Sequence, residues 1–465
     1  MRVKEQPPDK ASHLLFDTKG MKKRITNIII IVIGFILSWQ LVRFFVVDEN
    51  ASTRITFHDF YRQDKIDVSV VGTSRAYSGF NPAVADEILG KAFGEKINSF
   101  DLATPSQRLS GSYYVARELL KRYDPRLLFF EVEFTSINKS MDAEKAGWII
   151  ADYMKGTNKY RYVFDSFGKG SIPILLSGIY RFRYDIDPEF IMTNARAKLQ
   201  SSYRDYCPGN DYYYNYNSYR DRGWCCPYVR SNEGYDIFAY KKGFREFDSV
   251  DMEGIKPLAV SYIEKAIDMC RTRGVEIVLF TAPQSDLYLS QSGDYDAFIS
   301  YMEEFANKHD VRYYNLNLVS DERFEDIEFR NLDHMAADGA GHLTRVLCEL
   351  YVDENSHSFV KSLEERQRHG VYGILYEEDG DKDGDRKITF EIQSHEDGVY
   401  MLQAVQKLGD KVIYDTGIVK DCVMDYSPVS GSKVELFVFD KDGSYIGNAL
   451  PKALSSETQE EIEDE

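Results

Sequence analysis

Two side chains in this sequence have the type and surroundings to make and break an ester. Ser74 closes the run Val68-Ser69-Val70-Val71-Gly72-Thr73-Ser74, where strand-forming residues meet a tight polar turn. A serine hydroxyl is a weak nucleophile until a neighbouring base takes its proton. Histidine is the usual base near neutral pH, and the chain has eight. His13 lies in a basic N-terminal head, His58 precedes the first strand, and His309 ends a helical pattern. His357, His369 and His395 follow the last strand–helix unit. His342 falls inside the final helical pattern, where packing is its default role. His334, in Asn331-Leu332-Asp333-His334, stands in the loop before that helix, the place a base has to occupy. The pair expected to do chemistry is therefore Ser74 and His334. The competing reading makes Ser74 a turn residue that caps the next helix.

The surrounding elements decide whether such a pair can meet. From residue 67, short apolar runs alternate with longer amphipathic ones. DVSVVG, KINSFDLA, RLLFFEVEF, VEIVLFTAP and VRYYNLN predict five strands. Helical patterns start near Asn81-Pro82 and cover SGSYYVARELLKRYD, IKPLAVSYIEKAIDMCRTRG, YDAFISYMEEFANKHD and Gly339 to Tyr351. Nearly unbroken apolar strands separated by helices predict an α/β domain over 48–355, a doubly wound, five-stranded parallel sheet covered on both faces. Ligands gather at the carboxyl edge of such a sheet, and Ser74 ends its first strand. A large insertion rich in aromatic and polar residues, 135–250, follows the third strand. Residues 356–370 predict a helical connector. The runs RKITFEIQS, GVYMLQAVQKLG, DKVIYDTGIV and KVELFVFDKDGSYIG predict an antiparallel β-sandwich over 371–450, followed by an acidic tail, 451–465.

Gly72-Thr73-Ser74 after a first strand, with Asn331-Leu332-Asp333-His334 before a last helix, resembles the SGNH (GDSL-like) hydrolase family. The similarity covers roughly 66–134 and 255–352 and is nearest to the membrane-anchored, extracytoplasmic branch. That branch includes the teichoic-acid D-alanylation protein and polysaccharide O-acetyltransferases. The resemblance implies an SGNH/flavodoxin-like fold, with Ser74 as nucleophile and His334 as base. Three positions before the histidine, where the family carries aspartate, stands Asn331. It can accept from the imidazole N–H but brings no charge, so either Asn331 or the adjacent Asp333 is the orienter. For the oxyanion hole the resemblance implies the Ser74 N–H and the N–H of Ala103, which replaces the family glycine in FDLATPSQ. The family's side-chain amide has no obvious counterpart, and Gln284 and Gln107 are the nearest donors. Losing one such donor typically costs about 10²–10³ in rate.

The whole chain limits what this chemistry can act on. Its 465 residues carry a net charge of −18, which argues against a nucleic-acid partner. Residues 1–24 nevertheless hold seven basic against three acidic side chains. Ile25 to Val42 is then an 18-residue run with no charge, long enough to cross a bilayer. This predicts a basic cytoplasmic head (1–24), a single transmembrane signal anchor (25–47) and an extracytoplasmic remainder at the cell membrane. A cleaved signal peptide fits less well, because VVDENAS offers no small-x-small site. Six cysteines would then lie in a disulfide-permissive space. Cys207 with Cys225 or Cys226 could close a loop, whereas Cys270 and Cys348 read as buried thiols. No CxxC or HxxxH pair suggests a metal, and no organic cofactor is implied, since the acyl group arrives as an activated ester.

Three further features bear on partners. Residues 203–219 hold seven tyrosines, among them Tyr212, Tyr213 and Tyr214. They form either an ordered packed insertion or a platform for sugar rings. Arg75 pairs with a carboxylate of the fold or meets an anionic substrate. DGDKDGD at 379–385 opens like a calcium loop, but Phe390 stands where a bidentate Glu is needed, so it reads as an acidic hairpin. The expectation is an esterase or O-acyltransferase acting on cell-surface glycan, with an acyl donor or an acyl-exporting membrane protein as partner. The alternative is a catalytically inert glycan-binding or scaffold protein on the same fold.

Overall fold

A computed structural model describes residues 18–47, 52–139, 144–167, 187–201, 203, 219–226, 235–243, 247–368, 370–380, 385–395 and 400–451. The chain divides into two units, Met1–Glu49 with Ile172–Tyr212, and Asn50–Ser171 with Tyr213–Glu465.

The second unit is built on a parallel sheet. Strand β1 (Val68–Val71) lies between β2 (Ser99–Asp101) and β3 (Leu127–Glu131). Strands β7 (Glu276–Thr281) and β8 (Arg312–Asn315) extend the sheet beyond β3, giving the order β2-β1-β3-β7-β8. Every residue of β1, β2 and β3 is buried, which is why these runs lack polar alternation. The parallel register sets Val70 beside Asp101 and Phe129, so the three strands end together at one edge. Helices Pro82–Phe93 and Ala337–Val352 pack together, as do Leu109–Arg122 and Pro257–Arg273. Asn81 caps Pro82–Phe93 by accepting from Ala83 N–H, and Pro82 occupies the first turn, where its missing N–H costs nothing.

The helix expected to begin near Asn81-Pro82 is preceded by another. Ser74–Gly79 forms a short helix directly after β1, and its cap is Thr73, whose hydroxyl accepts from Arg75 N–H at 3.3 Å. Ser74 is thus relieved of the capping duty that a turn serine would have. The turn requires Gly72, since a Cβ there would lie 2.6 Å from Glu131 Cβ.

The C-terminal strands form two four-stranded sheets sharing one core. One has the order β15-β12-β11-β6, with β6 Ala239–Lys241, β11 Val371–Gly380, β12 Arg386–Ser394 and β15 Cys422–Tyr426. The other has the order β14-β13-β16-β17, with β13 Met401–Leu408, β14 Lys411–Asp415, β16 Ser432–Phe439 and β17 Tyr445–Ala449. Alternating burial along β16 and β15 places Cys422, Met424, Val434, Leu436 and Val438 in that core. The expected boundary at 371 is corrected here. The first sheet's edge strand is β6 (Ala239–Lys241), which comes from the insertion and runs parallel to β11. Ile237 and Ala239 belong to the same core. A second seam joins sandwich and parallel sheet: Arg366 Nε donates to Asp286 Oδ1 at 2.7 Å, and β11 touches Leu287 so closely at Gly373 that a Cβ would overlap it. Of the expected helical connector, Leu363–Gln367 is helical.

In the first unit, helix Thr18–Val46 has mean hydropathy 2.3 over its most apolar window, none of which is buried. It is long and apolar enough to cross a membrane. The first unit also contains helix Pro188–Leu199.

Candidate active site

The parallel register brings the Ser74 turn to the carboxyl edge, and a hairpin between β8 and helix Ala337–Val352 brings His334. Strands β9 (Phe329–Asn331) and β10 (His334–Met335) pair antiparallel, with His334 opposite Asn331. Leu332, fully buried at the tip, anchors the turn, and its carbonyl accepts from Ser285 N–H at 2.9 Å. His334 Nε2 consequently stands 2.7 Å from Ser74 Oγ. The other ring nitrogen, Nδ1, is 2.9 Å from Asn331 Oδ1 and 3.0 Å from Asp333 Oδ1. The tight turn folds both oxygens onto one nitrogen, so the two expected orienters act together rather than as alternatives. Two acceptors at Nδ1 place the proton there and leave Nε2 able to accept from the serine. Ser74 is half-buried and the His334 side chain is 18% exposed, so the hydroxyl can be reached from solvent.

Arg75 does not face a substrate. It is 7% exposed and lies among protein groups. Its guanidinium donates to Asp333 Oδ2 at 2.8 Å, pairs with Glu133, and reaches the Tyr288 hydroxyl at 3.3 Å. With its amide oriented so that the oxygen faces the guanidinium, which can only donate, Gln284 accepts from Arg75 Nε at 3.2 Å and Nη2 at 3.1 Å. The substrate-binding role expected for Arg75 is therefore corrected. It is an interior counter-charge, and it grips the free oxygen of the carboxylate that touches His334.

Two of the expected oxyanion donors are turned elsewhere. Ala103 N–H donates to Asp101 Oδ1 at 2.8 Å, because the loop after β2 folds back on its own aspartate. Gln107 is fully buried, with Nε2 donating to Ser112 Oγ at 3.0 Å and Oε1 accepting from Thr104 at 2.9 Å. Gln284 gives Arg75 its amide oxygen, an acceptor, and leaves its NH2 uncommitted to that contact. Of the expected donors, the Ser74 N–H at the first turn of its helix and the Gln284 NH2 remain. Tyr212, Tyr213, Tyr214 and Cys207 lie outside the described residues, as do 381–384 of the acidic hairpin. Cys225, Cys226, Cys270, Cys348 and Cys422 are buried free thiols.

Several site residues escaped the sequence. Glu131 ends β3 fully buried and accepts from Thr73 N–H, bracing the Ser74 turn from beneath. Burial pushes its carboxyl up, opposed by the Arg75 charge and the Thr73 N–H. Burial also holds Asp101 well above the usual carboxylate range, against the pull of Ala103 N–H, and the nearby Glu131 adds to the rise. Two acidic residues in an otherwise apolar strand, FFEVEF, were the available signal, since buried carboxylates demand partners. The insertion contributes a brace too. Its hairpin of β4 (Tyr219–Asp221) and β5 (Trp224–Cys225) donates from Trp224 Nε1 to Ser78 O at 2.9 Å, on the nucleophile helix. Arg222 O accepts from Asp101 N–H at 2.9 Å, and the Cys226 thiol lies 3.5 Å from Met335 O beside the base.

No protein-family model matches the chain, and no curated protein matches it in sequence. Among solved structures it is similar to a presumed acylhydrolase from Bacteroides fragilis NCTC 9343, at 9% identity and a TM-score of 0.28. The likeness covers 63% of this chain and 94% of that one. At that TM-score it carries no argument.

Proposed function

We propose that the protein is a serine esterase or O-acyltransferase of the SGNH type, acting outside the membrane on an acylated glycan. The observation that carries this is the hydroxyl–imidazole–acceptor line, Ser74 Oγ to His334 Nε2 at 2.7 Å with Nδ1 held by Asn331 and Asp333. In the proposed reaction Ser74 Oγ attacks an ester carbonyl carbon while Nε2 takes the hydroxyl proton. The imidazolium is held through its Nδ1–H, and the oxyanion gathers on the carbonyl oxygen near the Ser74 N–H. As the carbon–oxygen bond of the ester breaks, Nε2–H protonates the leaving alkoxide and an acyl-serine remains. A sugar hydroxyl or water, deprotonated by the same nitrogen, then releases the acyl group. The five-stranded parallel sheet, in the order β2-β1-β3-β7-β8 and followed by a helix, supports this reading.

The uninterrupted apolar helix behind a basic head supports a single span with residues 48–465 outside. Protease added to intact cells should then degrade that portion. Survival of the C-terminal domain would reverse the orientation.

A second reading has its own observation. Ala103 and Gln107 both spend their donors inside the protein, as an inert glycan-binding or scaffold protein on this fold would permit. Fluorophosphonate labelling separates the two. The purified protein should be labelled at Ser74, and Ser74→Ala should lose both labelling and turnover of a model acetyl ester. A folded wild-type protein that neither labels nor turns over esters would select the inert reading.

A further inference from the structure

Two carboxyls lie beneath the Ser74 turn, and each has one oxygen without a partner. Asp101 ends β2; its Oδ1 accepts from Ala103 N–H at 2.8 Å, and its Oδ2 is buried and unbonded. Glu131 ends β3; its Oε2 accepts from Thr73 N–H, and its Oε1 is buried and unbonded. Both residues are at most 2% exposed. Val70 is in register with both Asp101 and Phe129, and side chains 129 and 131 share a face, so the two carboxyls stand on one side of the sheet. Gly72, at the end of the strand between them, carries no side chain to separate them. The Ser74–Gly79 helix closes that side, so near that a Cβ on residue 72 would stand 2.9 Å from Ala76 Cβ.

Charge limits what this pair can be. The Arg75 guanidinium acts on Glu131, but it already pairs with Glu133 and Asp333. One buried cation therefore serves three carboxyls, and Asp101 makes a fourth. Two ionised carboxylates on one buried face repel each other and lack solvation, so one of them keeps its proton. Burial pushes Asp101 well above the usual carboxylate range, and Glu131 adds to the rise. Burial raises Glu131 as well, but the Arg75 charge and the Thr73 N–H pull it back. The other titratable groups at the pair are Cys225 and Tyr77 near Asp101, and His334 near Glu131. Burial pushes the Cys225 thiol up to about 12, so it adds no charge near neutral pH.

We propose that Asp101 and Glu131 carry one negative charge between them, with the proton on Asp101, and that the charge on Glu131 holds the Ser74 turn through Thr73 N–H. Both are positioning residues, since their burial keeps them from any substrate. Loss of the Asp101 proton sets two charges on either side of Gly72, pushes Glu131 away from Thr73 N–H and moves Ser74 relative to His334. The positioning role rests on the acyl chemistry proposed above. The location of the proton does not, and the experiment separates the two.

The full-length protein in detergent would be compared with Asp101→Asn and Glu131→Gln. Asn copies the protonated acid, with an oxygen for Ala103 N–H and a donor in place of the O–H. The infrared C=O absorption of protonated carboxyls near neutral pH should fall by one group in Asp101→Asn and stay unchanged in Glu131→Gln. The reverse result, or no loss in either variant, would overturn the assigned proton. Folded wild type keeps a proton that the unfolded chain loses above about pH 4, so its stability falls as pH rises from there. Asp101→Asn should therefore melt like the wild type near pH 4 and above it near pH 8. Melting below the wild type at both would overturn the inference, because an ionised, stabilising carboxylate would have been removed. Between about pH 7 and pH 9 the wild-type rate of fluorophosphonate labelling at Ser74 should fall at least about threefold, since small misplacements of a nucleophile are costly in rate. Asp101→Asn should show no such fall, and parallel profiles would overturn the positioning role. A wild type that never labels removes that role together with the acyl chemistry, while the infrared and melting results still decide the proton.

Discussion

At the scale of single residues, the base is held by a neutral and a charged acceptor at once, and Arg75 divides the charge of the second. Asp333 faces His334 with one oxygen and Arg75 with the other. Under the proposed acyl chemistry, Asp333→Asn removes the nearest counter-charge of the imidazolium, and kcat should fall about 10²–10⁴-fold. Asn331→Asp adds a carboxylate at the same nitrogen and should keep or raise kcat. Steady-state rates on a model acetyl ester, with melting temperatures beside them, check both. A larger loss at Asn331→Asp than at Asp333→Asn would show that the charge of Asp333 is spent on Arg75 and that Asn331 alone orients the base. The composition of this cluster was only half legible. Ser74 and His334 follow from chain order and from the carboxyl-edge rule, which constrain where a hydroxyl and a base can stand. The direction of Ala103 N–H or the Gln107 amide follows from local loop folding, which residue type does not encode.

Among the elements, the insertion hairpin of β4 and β5 stands out because it touches the Ser74–Gly79 helix and is followed by Cys226, which meets the Met335 carbonyl next to His334. Gly223, at its turn, has φ of 89°, and a Cβ there would lie 1.8 Å from Asp101 O. Gly223→Ala therefore strains the backbone and pushes the hairpin off β2. The expected cost is about 1–3 kcal/mol in stability, and Ser74 labelling by fluorophosphonate should slow with it. Denaturant unfolding and labelling rate measure the two effects. An unchanged melt and an unchanged rate would show that the hairpin is dispensable to the site. A run of aromatic residues reads as an insertion from sequence. Where its short strands dock is decided by surfaces more than a hundred positions away in the chain, such as Asp101 and Met335.

For the whole molecule, the seam between parallel sheet and sandwich carries a pH signature. Burial pushes the Asp326 carboxyl up to about 7, against the Phe238 N–H and the charges of Arg323 and Arg366, while Glu325 adds to the rise. Between about pH 4 and 7 the folded state keeps a proton that the unfolded chain has lost, so stability falls as pH rises through that window. The contribution is fully present below the unfolded value and lost above about 7. Asp326→Asn should therefore melt like the wild type near pH 4 and above it at pH 8. The whole shift corresponds to about 4 kcal/mol. Asp326 is partly exposed, however, and screening reduces the expected gain to about 1–2 kcal/mol. Equal melting temperatures across pH 4–8 would exclude the effect.

Sequence alone determined the elements whose burial is continuous or alternating. VSVV, LLFFE and EIVLFT can only bury both faces, and the strands from 371 onward can only bury one, because side-chain periodicity is a local property of the chain. It also determined the apolar helix, through the charge-free run Ile25–Val42. Only the tertiary structure decided that Arg75 turns inward to Glu133 and Asp333, and that Asn331 and Asp333 share one imidazole nitrogen. The same holds for β6, which leaves the insertion to complete a sheet of the sandwich. Each of these depends on a partner far away in sequence, and the free energy that selects it, pairing a buried charge or completing a sheet edge, exists only once the chain has closed on itself.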